Sequence, residues 1–168
     1  MRVRYAIIAA LALTLTAGSA GLSHASTTGY VAHLSGLNEV PPNASPATGT
    51  AFLTYDDVAN TLTTNVTFSG LTAPLTATHI HGPAGPGANA GVIHSLASTS
   101  PPIGFTSGSY SDTWSGLTAT QQGWLSSGLM YVNLHTGNFP GGEIRGQVLP
   151  DATPTVTVSW GRIKSLYR

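Results

Sequence analysis

Gly49-Thr50-Ala51-Phe52-Leu53-Thr54-Tyr55-Asp56-Asp57-Val58-Ala59-Asn60-Thr61-Leu62-Thr63-Thr64-Asn65-Val66-Thr67-Phe68 is the stretch whose reading decides the fold. It holds two alternating runs, Gly49–Tyr55 and Thr61–Phe68, rich in Thr, Val and aromatic residues. Side chains of a strand point to opposite faces in turn, so such runs read as strands with one face in a core. Asp56–Asn60 between them reads as a tight hairpin connection. Working outward, similar short runs recur at Tyr30–Ser35, Thr76–His81, Gly91–Leu96, Gly108–Trp114, Leu129–His135 and Glu143–Leu149. Gly, Pro and Asn punctuate them. The pattern predicts an all-β domain, a single antiparallel β-sandwich or barrel of Greek-key type.

One helix at most fits the sequence, over Thr118–Leu125. Thr118 is its expected N-cap, Gln121 completes a capping box, and Gly128 lies beyond its end. Trp124 and Leu125 are expected to face the core. His81-Gly82-Pro83-Ala84-Gly85-Pro86-Gly87 is expected to be a surface loop, because its glycines favour φ > 0 and its prolines fix φ.

The ends of the chain differ from this middle. Arg2 and Arg4 precede an uncharged apolar run, Tyr5–Thr16, and Ser23-His24-Ala25 offers a small-x-small cleavage site before Ser26. That is the layout of a secretory signal peptide over residues 1–25, too short to span a bilayer, which takes roughly 20 apolar residues. The expected location is therefore secreted, periplasmic or at the cell surface, with no membrane span in the mature chain. Residues 27–150 form the expected domain, and residues 151–168 a Pro/Thr linker with a short basic, aromatic tail. The chain has no cysteine, so neither disulfides nor thiol catalysis contribute. Within residues 27–150 Arg145 is the one Lys or Arg, against Glu39, Asp56, Asp57, Asp112 and Glu143, a formal charge of −4. A single cation cannot neutralise a run of phosphates, which excludes nucleic acid as a partner.

Three stretches together resemble the CHRD (chordin-type) domain family. They are Leu34-Ser35-Gly36-Leu37-Asn38-Glu39-Val40-Pro41-Pro42 with Ala47-Thr48-Gly49-Thr50-Ala51; Phe68-Ser69-Gly70-Leu71 leading to Thr78-His79-Ile80-His81-Gly82-Pro83-Ala84; and Tyr131-Val132-Asn133-Leu134-His135-Thr136 with Pro140-Gly141-Gly142-Glu143-Ile144-Arg145-Gly146-Gln147. The family is named from chordin, an animal antagonist of growth factors, but similar domains occur singly in exported bacterial proteins. Chordin's ligand binding is attributed to a separate cysteine-rich module, absent from this chain. The resemblance therefore implies an exported binding or surface module with a cell-surface or matrix partner, and carries over no catalytic residue.

The residues themselves suggest one chemistry. His79 and His81, two apart on a strand, share a face. His135 alternates with Asn133 and Tyr131, opposite the core set Met130, Val132 and Leu134, and so should face outward or into a polar crevice. If the two strands meet, His79, His81 and His135 converge as imidazole ligands for copper or zinc, with His94 as a fourth. The competing expectation is structural: imidazole N–H groups hold the Gly/Pro loop through its carbonyls. Arg145 is expected to pair with Glu143, two residues away, or with Glu39, as a structural ion pair. Three functions follow: a non-enzymatic binding module that holds a transition metal, a metal-dependent redox enzyme of the cell envelope, or a structural adhesion domain without metal. No Gly-x-Ser-x-Gly elbow and no phosphate-cradling Gly-Lys-Ser loop occurs.

Overall fold

The computed structural model describes residues 26–96 and 102–151. The expected signal peptide and all of the expected tail except Asp151 lie outside the described residues. The strands are β1 (Thr27–Ser35), β2 (Thr48–Asp56), β3 (Thr61–Ser69), β4 (Leu75–His81), β5 (Val92–Ser95), β6 (Gly108–Ser115), β7 (Tyr131–Thr136), β8 (Ile144–Gln147) and β9 (Leu149–Pro150). One helix, α1 (Ala119–Ser126), joins β6 to β7. All strand pairs are antiparallel, in one sheet ordered β5-β4-β7-β8-β1-β2-β3-β6, with β9 added beside β1. The sheet is rolled into a nearly closed barrel. Among the described residues no helix is long and apolar enough to cross a membrane.

The β2–β3 hairpin forms where its alternation places it. Ala51 and Leu53 on β2 are buried with Leu62, Thr64, Val66 and Phe68 on β3, while Phe52, Asn65 and Thr67 face out. The register runs from Thr48↔Ser69 to Asp56↔Thr61. At the turn the Asp56 carboxylate accepts the N–H groups of Val58 and Ala59. Asn60 takes the left-handed conformation (φ 51°), which Asn tolerates better than most residues. Helix α1 carries the expected capping box: Thr118 accepts the Gln121 N–H, and the Gln121 side chain accepts the Thr118 N–H. Leu125 enters the core, and Trp124 packs half-buried against it.

The two ends of the sheet, β5 and β6, share no backbone ladder. Side chains stitch this seam. His94 on β5 donates from Nε2 to Asp112 on β6 (2.7 Å), and its ring stacks on Trp114 at 4.8 Å. Thr78 on β4 and Tyr110 on β6 join through their hydroxyls. His94 pairs in register with Ile80, a core residue, and so shares its face rather than that of His79 and His81. The expected fourth metal ligand is instead a closing residue of the barrel.

Strand β7 is buried on both faces. Val132 and Leu134 join Met130 in the apolar core. The opposite row, Tyr131, Asn133 and His135, is roofed by loops. The Tyr131 hydroxyl bonds the backbone of Ala90, and His135 bonds the carbonyl of Pro140. Polar residues therefore fill a covered crevice on this side of the sheet.

Candidate metal centre

Strand pairing brings three imidazoles into that crevice. Antiparallel β4 and β7 set His79 opposite Asn133, His81 opposite Tyr131 and Ala77 opposite His135. His79 and His81 follow one another on one face of β4, with His135 diagonally across on β7. Ring centroids lie 4.9 Å apart for His79–His135, 5.6 Å for His79–His81 and 5.9 Å for His81–His135. One nitrogen from each residue lies within 4.8 Å of the other two.

Backbone carbonyls orient two of the rings. His81 Nδ1 is 3.0 Å from the carbonyl oxygen of Ala90, and His135 Nδ1 is 3.1 Å from that of Pro140. A carbonyl only accepts, so both Nδ1 atoms carry the proton, and both Nε2 atoms carry the lone pair in the neutral ring. His135 Nε2 then accepts from His79 Nδ1 at 3.1 Å. His81 Nε2 is buried and has no hydrogen-bond partner. Leaving a buried polar atom unsatisfied costs about 1–3 kcal/mol, and this nitrogen shares that state in the crevice with Asn133 Oδ1.

All three rings are held neutral. Burial pushes His135 down to about 4, against the partial counter-effect of its Pro140 bond and with added repulsion from His79 and His81. Burial also lowers His79, with His81 nearby, and lowers His81, where the Ala90 bond opposes it and Arg145 assists. Neutral imidazole is the form that ligates metals.

The other residues singled out in the sequence are placed as follows. Arg145 lies beside Glu39, with Nε 3.8 Å from Oε2. Glu143 turns away from Arg145: its fully buried carboxylate accepts the Ser45 and Thr136 hydroxyls and the Thr72 N–H at 2.6–2.7 Å. The two-residue spacing misleads here because Glu143 precedes β8 and follows Gly142, whose φ of 134° redirects the chain. Burial raises the Glu39 carboxyl to about 7, although the Arg145 charge pulls it down. At 3.8 Å the contact is too long for a hydrogen bond, so desolvation outweighs the pair.

Sequence reasoning missed the residues that tie the cluster to its surroundings. Tyr131 stacks on His81, with centroids 4.9 Å apart and planes within 6°. The Arg145 guanidinium carbon lies 4.7 Å from the centre of the Tyr131 ring. The available signal was the strand period, which puts Tyr131 on the His135 face of β7; nothing local marks Arg145 as its neighbour.

The family model of the CHRD domain matches residues 30–148. The chain belongs to the CHRD family. That match spans β1 to β8, so the histidine crevice lies wholly inside the CHRD domain. No curated protein and no solved structure matches the chain.

Proposed function

We propose that this CHRD protein is an exported, non-enzymatic binding module that holds one copper or zinc ion through His79, His81 and His135. The observation that carries the reading is His81 Nε2, buried, unpartnered and converging with the other two imidazoles. Its tautomer is fixed from behind by a carbonyl, as is that of His135, which is the outer-shell support usual for metal-ligating histidines. The donor chemistry favours a borderline ion. The chain has no cysteine, and Met130 sits in the apolar core. His79 is only half-buried, which leaves a route for entry.

Within this reading Ala90 and Pro140 orient the rings, and Tyr131 packs flat on His81 and excludes water from it. Nitrogens around one tetrahedral zinc stand about 3.3 Å apart; an ion would replace the proton shared at 3.1 Å by His79 and His135, and the three nitrogens, within 4.8 Å of one another, would draw in around it. A bound ion would supply a Lewis-acidic centre with room for one outside ligand. Export rests on the leader-like residues 1–25.

The test is calorimetric titration of the purified protein with copper and zinc, beside His79→Ala/His135→Ala and His81→Phe variants. One-to-one binding that both variants lose is expected. At one hundred times Kd such an ion adds about 2.7 kcal/mol to stability, visible as a raised Tm. Absence of binding, or binding unchanged in the variants, refutes the reading. The carbonyl bonds of His81 and His135 would then favour the structural use, with the histidines acting as loop clamps alone.

A further inference from the structure

A second site, built from residues other than the three clustered histidines, lies where Arg145 packs on Tyr131. A cleft of about 570 Å³ opens beside β1 and β8, within the usual size range of small-molecule sites. Its walls are apolar, formed by Val31, Leu37, Val40, Pro42, Pro86 and Leu149. Leu37 and Leu149 are 77% and 49% exposed, a large loss for leucines unless something covers them. The polar lining includes Glu39 and Arg145.

We propose that this cleft binds a carboxylate carried on an apolar body. The case rests on how Arg145 is held. Nε donates to the Asn38 carbonyl at 2.6 Å, and Nη1 donates to the Ala88 carbonyl and to Asn89 Oδ1. The Tyr131 ring supports the guanidinium from one face. Among the described residues no partner occupies the two Nη2 donors. The guanidinium is thus held by three hydrogen bonds, with Nη2 unpartnered among the described residues, in a cleft whose other surfaces are largely hydrocarbon. With Nε and Nη1 engaged, Nη2 can give a single charge-assisted hydrogen bond to one oxygen of a carboxylate.

Charge selects in the same direction. Glu39 is buried, and burial holds its carboxyl near neutrality, so Glu39 and Arg145 together carry a charge between zero and +1. A cationic head meets a fixed guanidinium and is disfavoured. A phosphate has only one cationic side chain in the cleft to neutralise it. The matching ligand is a fatty acid or the apolar carboxyl end of a peptide, which share this chemistry.

Calorimetry on the purified protein tests it with decanoate, decanol and decyltrimethylammonium, and with N-acetyl-trileucine as free acid and as amide. Saturable one-to-one binding of decanoate or of the peptide acid is expected, at least tenfold tighter than decanol or the amide. Which of the two acids binds identifies the source. The exposed-wall variants Leu37→Glu and Leu149→Glu should each weaken binding at least tenfold without depending on a buried residue. Arg145→Gln, if it folds, should bind decanoate and decanol alike. No saturable binding of either acid overturns the proposal. So does equal affinity for decanoate and decanol in the unaltered protein, or indifference to both wall substitutions.

Discussion

Two buried titrations of opposite sign should nearly cancel in this protein, and separating them tests the reasoning about its polar crevice. His135 titrates near 6.5 in an unfolded chain and at about 4 when folded. Between these values the unfolded state binds the extra proton, so stability rises with pH at about 1.4 kcal/mol per unit. Across the window this amounts to about 3 kcal/mol, present above pH 6.5 and lost as pH falls to 4. His79 and His81 are shifted in the same direction. Glu39 behaves inversely, at 4.5 unfolded and about 7 folded. Its folded state holds the extra proton, so it contributes about 3 kcal/mol below pH 4.5 that disappears as pH rises to 7. From pH 4.5 to 6.5 the two slopes oppose one another. Urea unfolding of the metal-free protein across this range should give a shallow net rise. Glu39→Gln removes the falling component and should steepen the rise by about 1.4 kcal/mol per unit, while His135→Gln should flatten or invert it. A Glu39→Gln curve no steeper than that of the parent would refute the assignment of a desolvated, neutral carboxyl.

Three other outcomes follow from the packing. A double-mutant cycle with His94→Leu and Asp112→Asn should return a coupling of about 1–2 kcal/mol in urea unfolding, because the bond joins a partly exposed ring to a fully buried carboxylate. Additive effects would show that the seam does not depend on it. Glu143→Ala should cost about 2–4 kcal/mol by the same assay, since it strands the buried Thr136 hydroxyl and takes the acceptor from the part-buried bonds of the Ser45 hydroxyl and Thr72 N–H. Gly146→Ala should lower Tm markedly: a Cβ there would sit 2.5 Å from the His33 carbonyl oxygen, forcing β8 away from β1.

What was legible in the sequence was the part governed by local period. One-sided burial of the β2–β3 hairpin writes itself as alternation, and the capping box of α1 is a four-residue pattern. The His-x-His face on β4 follows from the same period, as does the placement of His135 opposite Met130, Val132 and Leu134. The metal and loop-clamp readings are compatible within one histidine. Its two ring nitrogens allow His81 and His135 to hold a loop carbonyl with Nδ1 while presenting Nε2 to the cluster. Non-local choices were not legible. Nothing near His94 signals that a barrel closing on itself will bring Asp112 beside it. Nothing near Glu143 signals that three donors from separate segments will claim it before Arg145 can.

The seam between β5 and β6 has a consequence for how the protein breathes. Along most of the sheet, separating two neighbours means breaking a row of backbone bonds; between β5 and β6 there is no ladder, and the strands are joined through side-chain contacts such as His94–Asp112, with Thr78–Tyr110 tying β4 to β6. Native-state hydrogen exchange should therefore report the lowest opening energy in the four-residue strand β5, while β1, β2 and β3, each nine residues long and locked in mutual register, exchange only with global unfolding. The barrel is built like a cuff, and the short β5 end is where it should open first.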